Sequence, residues 1–482
     1  MPFEFSLHLS LRAAYDDNIG LTHMNRLDDR FVLIQPSLML GIGQVATQET
    51  FLMVNYLPNI FRYDDHSEFD SNQHIVRVLG GIKTSNLTLR LSQDIAILDN
   101  IVFAASSGER LSLVPSGRTN LNIFNTDLSA NYNMTPRDFM FAEFRMNRTE
   151  YAQPLISSGL YIADLYLNHG FSQSLVLGFG VEGGYNAVDF PTPDQTMVRT
   201  NAHLNYTPGK EFTLDIIAGE EFRDFQNGAR ETYTTPVFAI SASYLPCDST
   251  KLVLTASRQI YNSAAATAQD YVDTSVGGMI RERICKQLYL TLLGGFEHVA
   301  YFNAIDLPMP LPTLRANAHL NYTPGKEFSF DLIAGEEFRG FENLARGTYS
   351  TPVFALSATY LPCDSTRIVL SATRQIYNSA ALTAQDYVDT SVNGMIRQRI
   401  CKQLYLTLLG GYEHVEYFNA IDLPMPLPTL RADYFYVHPS ADILLTRYWS
   451  FGGYYLRRQN SGSISIVDFY SNEVGVRTTV KF

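Results

Sequence analysis

The sequence predicts an all-β protein, a transmembrane antiparallel up-and-down β-barrel of about 24 strands. Segments in which apolar and polar residues alternate recur from one end of the chain to the other. Their apolar arms match the ~9–11 residues that a tilted strand needs to cross a bilayer. The connections alternate between short turns and longer loops, as they do in outer-membrane barrels. We therefore predict one barrel over residues 1–482, inserted in a Gram-negative outer membrane as a multi-pass protein.

The composition agrees with this class. Hydrophobic residues make up 46% of the 482 residues and charged residues only 17%, against about 25% charged in a typical soluble domain. No stretch approaches the ~18 consecutive apolar residues of a membrane helix. The formal charge of −12 argues against a nucleic-acid partner. No signal peptide is visible, so we expect the mature form with an added start Met.

The first strand shows the alternation most clearly. From residue 3 to residue 15 the odd positions are apolar and the even positions are mostly polar. Successive side chains of a strand point to opposite sides, so the segment has one lipid face and one lumen face. Leu87–Leu91, Phe212–Ala218 and Leu288–Leu292 repeat the pattern, with Leu214 and Leu290 predicted outward and Thr213 and Thr291 inward.

The connections divide into two classes. Short ones occur at residues 207–210, at residues 245–248 and around Cys285, and longer ones at residues 64–73, 100–119 and 303–313. Their Pro, Gly, Asp and Asn content is turn chemistry. In outer-membrane barrels the short turns lie on the periplasmic side. We expect both termini at that rim.

Residues 199–314 and 315–430 are near copies, offset by 116, and about 20 of the 116 aligned positions differ. Each copy is predicted to hold six strands. An even number returns the chain to the same rim and keeps the faces of all later strands. An ancestor with one copy would have about 18 strands, a common porin size. Natural duplication and engineering remain alternative origins.

The last strand ends in Phe482 behind alternating apolar residues. This ending resembles the signal by which the barrel-assembly machinery recognises its clients, so we expect that machinery as a partner during biogenesis. Outer-membrane lipid and lipopolysaccharide are the expected surroundings. A partner that fills the lumen or docks at the periplasmic rim is a further expectation, because no plug domain is seen before the barrel.

Two segments near the start carry a family resemblance. The motifs AYDDNIGLT at residues 14–22 and QPSLMLGIG at residues 35–43 resemble the start of the putative β-barrel porin family of Gram-negative bacteria. The resemblance implies an outer-membrane channel and supplies no catalytic residues. The duplicated block departs from the usual size of that family.

The four cysteines form one pair in each copy. Cys247 and Cys285 lie symmetrically about Ala266, the centre of a predicted hairpin, and Cys363 and Cys401 repeat the arrangement. Facing strand positions are within disulfide reach, and the periplasm is oxidising. We predict the bonds Cys247–Cys285 and Cys363–Cys401, with free thiols or metal binding as alternatives. The spacing matches no zinc motif, and we predict neither a metal site nor a cofactor.

Charged side chains of both signs are predicted on the lumen face. They either solvate and brace the wall or create a field that filters polar solutes. The predicted pore-lining residues are Arg199, Asp215, Glu221, Arg223, Arg281 and Arg283 in the first copy, and Arg315, Asp331, Glu337, Arg339, Arg397 and Arg399 in the second.

Two acidic clusters lie in predicted outer loops, at residues 64–70 and at residues 16–29. We interpret them as solvated loops, because the EF-hand spacing is absent; calcium binding or bridging to lipopolysaccharide is the alternative. No histidine has a serine and an orienting third group at a recognisable spacing, so we do not expect an enzyme.

The leading functional hypothesis is a channel for passive diffusion of small hydrophilic solutes. A closed barrel is the only sheet that can span lipid, because all its backbone groups are paired. One alternative is a conduit or sleeve for a secreted polymer or partner protein, since about 24 strands exceed the 16–18 of common porins. The other is an engineered, enlarged barrel without a natural substrate.

Overall fold

The computed structural model is a closed antiparallel β-barrel. It describes residues 3–43, 47, 49–102, 118–152, 157–189, 193–226, 232–261, 270–302, 310–341, 349–377, 386–418, 431–463 and 468–482. Each strand pairs with the next along the chain, and β1 pairs with β24 to close the sheet. The predicted fold class and strand number are confirmed. Among the described residues, no helix is long and apolar enough to cross a membrane.

The first twelve strands are β1 (Phe3–Asp16), β2 (Asp29–Gly43), β3 (Phe51–Tyr63), β4 (Ser71–Lys83), β5 (Leu87–Val102), β6 (Arg118–Asn133), β7 (Asp138–Tyr151), β8 (Ser158–Gly170), β9 (Leu175–Val188), β10 (Gln195–Tyr206), β11 (Phe212–Phe225) and β12 (Tyr233–Cys247). The remaining twelve are β13 (Thr250–Tyr261), β14 (Asp270–Cys285), β15 (Leu288–Phe302), β16 (Pro310–Tyr322), β17 (Phe328–Phe341), β18 (Tyr349–Cys363), β19 (Thr366–Tyr377), β20 (Asp386–Arg399), β21 (Leu404–Phe418), β22 (Arg431–Leu444), β23 (Trp449–Gly462) and β24 (Phe469–Lys481). A 3₁₀ turn, Ser67–Phe69, lies between β3 and β4.

The two rims differ as predicted. The connections at the rim that holds both termini are two to seven residues long, and those at the other rim are six to fifteen. The backbone N–H of Phe482 donates to the carbonyl of Leu7 (2.8 Å), which ties the last residue to the first strand. The short rim is periplasmic by the rule for outer-membrane barrels.

The outer face is apolar. Leu254 is 65% exposed, Val276 54% and Leu292 51%. The register joins Leu254 to Gly278 and Ile280 to Leu292, so these side chains share the outer face of β13, β14 and β15. Only contact with lipid stabilises such a surface, because in water it would be a large exposed apolar patch. The chain is therefore a multi-pass barrel of the outer-membrane type.

Packing on the inner face depends on aromatic residues beside glycines. The ring of Tyr166 lies over the facing Gly180, where an added Cβ would overlap the ring. Tyr454 covers Gly475 in the same way next to the barrel closure. Any larger residue at either glycine would displace the ring, so these pairs hold the inner aromatic side chains flat against the wall.

The strand bounds repeat along the chain with the offset seen in the sequence. The strands β11, β12, β13 and β15 correspond to β17, β18, β19 and β21 with both bounds shifted by 116 residues. The near-identical segments thus occupy equivalent wall positions, with six strands from β10 to β15 and six from β16 to β21.

Candidate functional site

The candidate functional site is the inner wall of the barrel. The register places all twelve predicted pore-lining residues on this face. On β10 and β11, for example, Arg199 pairs with Glu221, while their neighbours Val198 and Phe222 point outward and are 44% and 42% exposed. The twelve do not share one environment, because some are buried in ion pairs and others are open to the lumen.

Glu221 lies between two arginines and is fully buried. Arg223 donates its Nε–H to Glu221 Oε1 (2.6 Å), and Arg199 donates to Glu221 Oε2 from Nε (2.9 Å). Arg223 also donates to the side-chain oxygen of Gln195 (3.1 Å). A carboxylate without solvent contact is stable only when it is paired and hydrogen-bonded. These three charges therefore brace the wall.

The second copy repeats this triad with Glu337 between Arg315 and Arg339. The surroundings differ, because the strand before the first copy is β9 and the strand before the second is β15. Glu182 of β9 accepts from Arg199 (3.4 Å), whereas Gly295 of β15 faces Arg315. The side chain of Arg315 is consequently 51% exposed, against 21% for Arg199.

The triad of the first copy continues into four charges that the sequence pattern does not distinguish from other polar positions. Glu143, Asp164 and Glu182 face one another on β7, β8 and β9. Arg145 contacts Glu143 (3.2 Å) and Asp164 (3.1 Å). Each residue is unremarkable in its own strand, and only the pairing of five strands at one level forms the row. A comparison of charged residues at equal distances from the ends of neighbouring strands would have found them.

Two histidines complete the polar lining near the short rim. His203 Nε2 is 3.1 Å from Asp215 Oδ2, and Asn205 donates to the same oxygen (3.0 Å). His319 repeats the contact to Asp331 at 2.8 Å. These groups bind one another on the wall, so Asp215 and Asp331 are paired lining residues.

A second network surrounds the closure of the barrel. Arg12 donates to Glu473 (2.7 Å), and Arg458 donates to Asp16 (2.7 Å). Both contacts join strands from opposite ends of the chain. The side chains of Asp16 and Glu473 are about 5% and 4% exposed. Asp16, predicted to be a solvated loop residue, is therefore a buried partner of the wall.

The loop at residues 17–28 enters the lumen. Leu21 packs against Tyr434 and Phe469, whose side chains point inward from β22 and β24. The fully buried Asn18 donates to the carbonyl of Tyr470 (2.8 Å). This loop covers part of the inner wall at the long-loop rim and narrows the entrance there.

The acidic loop after β3 is ordered by contacts with its neighbour. Asp29 accepts the backbone N–H groups of Asp65 (3.1 Å) and His66 (2.9 Å). Asp70 accepts the backbone N–H of Tyr63 (2.8 Å). The described residues contain no group of three or more His, Cys, Asp and Glu arranged to hold a metal ion.

The structure corrects the prediction of two disulfides. All four cysteines are free and exposed. The predicted register is present, since Thr250 pairs with Glu282, but the chain reverses at Asp248–Ser249. Cys247 therefore ends β12, and β13 lies between it and β14. Two strand spacings, ~9.6 Å, exceed the Cα separation that a disulfide permits. The same reversal separates Cys363 from Cys401.

The cysteines lie at the short rim, with Cys247, Cys285 and Cys363 at strand ends and Cys401 in a turn. Cys247 Sγ is 3.2 Å from the hydroxyl of Ser249 and 3.1 Å from that of Thr250. These hydroxyl groups stabilise the thiolate and lower the pKa of Cys247 to about 7. Ser365 and Thr366 lower the pKa of Cys363 to about 7 in the same way. Backbone N–H groups of Gln403 and Leu404 lower the pKa of Cys401.

Comparison with known proteins supports the fold. A ferric enterobactin receptor mutant from Pseudomonas aeruginosa is similar over 99% of this chain and 80% of its own, with a TM-score of 0.56 and 10% identity. The FrpB iron transporter from Neisseria meningitidis is similar over 99% and 81%, with a TM-score of 0.57 and 9% identity. The siderophore receptor PirA from Acinetobacter baumannii has a TM-score of 0.52, 9% identity and coverages of 99% and 80%.

No family model and no curated protein matches the chain. The resemblance of residues 14–22 and 35–43 to the putative β-barrel porin family thus gains no support from these comparisons. At about 10% identity the solved structures establish the architecture alone. The chain has the fold of an outer-membrane β-barrel, and the chemistry of its inner wall must supply the argument for function.

Proposed function

We propose that this barrel is an outer-membrane channel for passive diffusion of small hydrophilic solutes or ions. The observation that carries the proposal is the contrast between the two faces of the wall. The outer face is apolar, whereas the inner face carries Arg, Asp, Glu, His, Ser and Thr from every part of the chain. A lumen with such a lining holds water and admits polar solutes. The loop at residues 17–28 narrows one entrance.

The test is conductance of the purified protein in planar lipid bilayers. We expect stepwise, ohmic current, together with liposome swelling that slows as the test sugar becomes larger. The absence of both current and swelling from correctly folded protein would refute the passive channel. Swelling with polymers far larger than sugars would instead favour a conduit for a secreted polymer.

A receptor for iron carriers is another candidate, and the likeness in fold to an enterobactin receptor and an iron transporter favours it. Such a protein would bind a ferric siderophore tightly and conduct few ions by itself. Ferric enterobactin binding in the nanomolar range by a barrel without conductance would support the receptor. Conductance without such binding would support the channel.

A further inference from the structure

The six-strand copies each carry a group of three cations on the inner wall, which we call the basic clusters. The first consists of Lys251 on β13 with Arg281 and Arg283 on β14. The second consists of the equivalent residues on β19 and β20, which are Arg367, Arg397 and Arg399. All six side chains belong to exposed residues.

The register shows that these cations face the lumen near the short rim. Arg281 pairs with Thr291, which is 5% exposed on the inner wall, while the adjacent Ile280 points outward and is 51% exposed. Arg283 pairs with Tyr289. The guanidinium of Arg281 lies 4.4 Å from the ring centroid of Tyr289, and this contact holds it along the wall. Arg397 repeats the contact with Tyr405 at 4.7 Å.

In each cluster two cations lie directly opposite each other on neighbouring strands. Lys251 is the register partner of Arg281, and Arg367 is the partner of Arg397. Like charges in facing positions destabilise a sheet. The nearest inner positions, such as Val253 on β13 and Met279 on β14, are neutral and offer no compensation.

Several arginines elsewhere on the inner wall have carboxylate partners. Arg199, Arg223 and Arg145 are all paired with acids. In the part of the chain that the structure describes, no ion pair involves any member of the two basic clusters. Free cations in a chain of net charge −12 form a local positive surface at the periplasmic end of the lumen.

We propose that each basic cluster binds a multiply charged oxyanion of the phosphate class as it passes through the lumen. Guanidinium groups donate pairs of N–H bonds that match phosphate geometry. An anion between the two strands would also relieve the repulsion of the facing cations. The inference rests on the proposed channel, because it names the solute class that the lumen favours.

The two sites are independent of each other. Equivalent residues of the two clusters lie six strand spacings apart, which corresponds to ~29 Å of wall at ~4.8 Å per strand. One small anion cannot bridge that distance, so each barrel should bind two anions with similar affinity.

The first experiment measures binding without requiring conduction. Pyrophosphate is titrated calorimetrically into the full-length barrel in detergent. We expect two ions per wild-type barrel, one for R281Q/R283Q and none for the variant that also carries R397Q/R399Q. The control K286Q/K402Q removes two charges from the adjacent short turns, outside the lumen, and should bind two ions. Heat-modifiable mobility on gels checks that every variant is folded.

Failure of wild-type protein to bind, or unchanged binding by the quadruple variant, would overturn the inference. If the quadruple variant does not fold, R283Q/R399Q supplies the same comparison, with an expected loss of at least tenfold in affinity. The proposed channel is tested separately by reversal potentials in a tenfold KCl gradient. If the quadruple variant conducts with the same ion preference as wild type, anion binding by the basic clusters is contradicted and the channel is not. If wild-type protein binds the anion but carries no current, only the proposed channel is contradicted.

Discussion

At the scale of single residues, the same side chains have different energetic roles in different places on the wall. The triads around Glu221 and Glu337 are identical in sequence, but Arg199 has an additional acid beside it and Arg315 has none. This difference accounts for the greater exposure of Arg315. The cost of losing the central carboxylate should therefore depend on the neighbouring strand and not on the triad itself.

We expect Glu221→Ala to destabilise the barrel more than Glu337→Ala. Removing Glu221 leaves Arg223, whose side chain is 3% exposed, without its carboxylate, and breaking a buried pair costs about 3–5 kcal/mol. Removing Glu337 leaves Arg339 12% exposed and Arg315 51% exposed, so water replaces part of the interaction with both arginines, and the expected loss is smaller, about 1–2 kcal/mol. Equilibrium unfolding in denaturant measures both. Equal losses would show that the neighbouring strand is irrelevant.

The thiols give a second test at this scale. Since the pKa of Cys247 is lowered to about 7, about half of that thiol is ionised at pH 7. In the single-cysteine protein C285A/C363A/C401A, alkylation by iodoacetamide should reach half its maximal rate near pH 7. Ser249→Ala removes the hydrogen bond that contributes most and should move the midpoint to higher pH. An unchanged midpoint would contradict this cause. Unreduced wild-type protein should yield four alkylatable thiols.

At the scale of the strand, consecutive side chains point alternately to the lipid and to the lumen. Leu254 and Thr255 are neighbours in the middle of β13, and the register places Leu254 beside Ala242 and Gly278 on the outer face. Leu214 is only the third residue of β11, so it lies closer to the interface than the sequence pattern alone suggested.

Leu254→Arg should therefore impair folding into lipid by about 2–4 kcal/mol, the cost of Arg near the midplane of the lipid face. Thr255→Arg should be tolerated, because its side chain enters the lumen. Leu214→Arg should cost less than Leu254→Arg, since the penalty falls toward the interface. Folding yield into vesicles, followed by gel mobility, measures all three. Equal tolerance at positions 254 and 255 would invalidate the assignment of faces.

At the scale of the whole molecule, the even strand number of each copy should make the copies interchangeable. Deleting residues 315–430 joins Leu314 to Arg431 and places β22 beside β15, in the register that β22 now has with β21. The remaining chain has 18 strands, because six of the 24 are removed.

We expect this shortened chain to insert and conduct with a smaller unit conductance, because barrel diameter falls to about three quarters. Deleting only β13 with its turn, residues 248–261, should abolish assembly, since every later strand would run in the wrong direction. Gel mobility and single-channel recording report the two outcomes. A six-strand deletion that fails to fold would mean that the copies depend on specific contacts with each other.

The sequence by itself determined the architecture of this protein. Alternation of period two indicates which side of a strand is apolar, and turn residues indicate where the chain reverses. Strand number, face assignment and the two kinds of rim could therefore be predicted. Both properties are local. The inner position of Arg281 or Glu221 follows from counting along one strand and needs no knowledge of its neighbours.

The tertiary structure alone decided which inner residues meet. The row from Glu143 to Arg223 depends on the register of five strands, and the packing of Leu21 on Tyr434 joins segments more than 400 residues apart. The disulfide prediction failed for a related reason. Its register was right, but the two-residue turn at Asp248–Ser249 places Cys247 on the preceding strand, β12. Two strand spacings exceed the Cα separation that a disulfide permits.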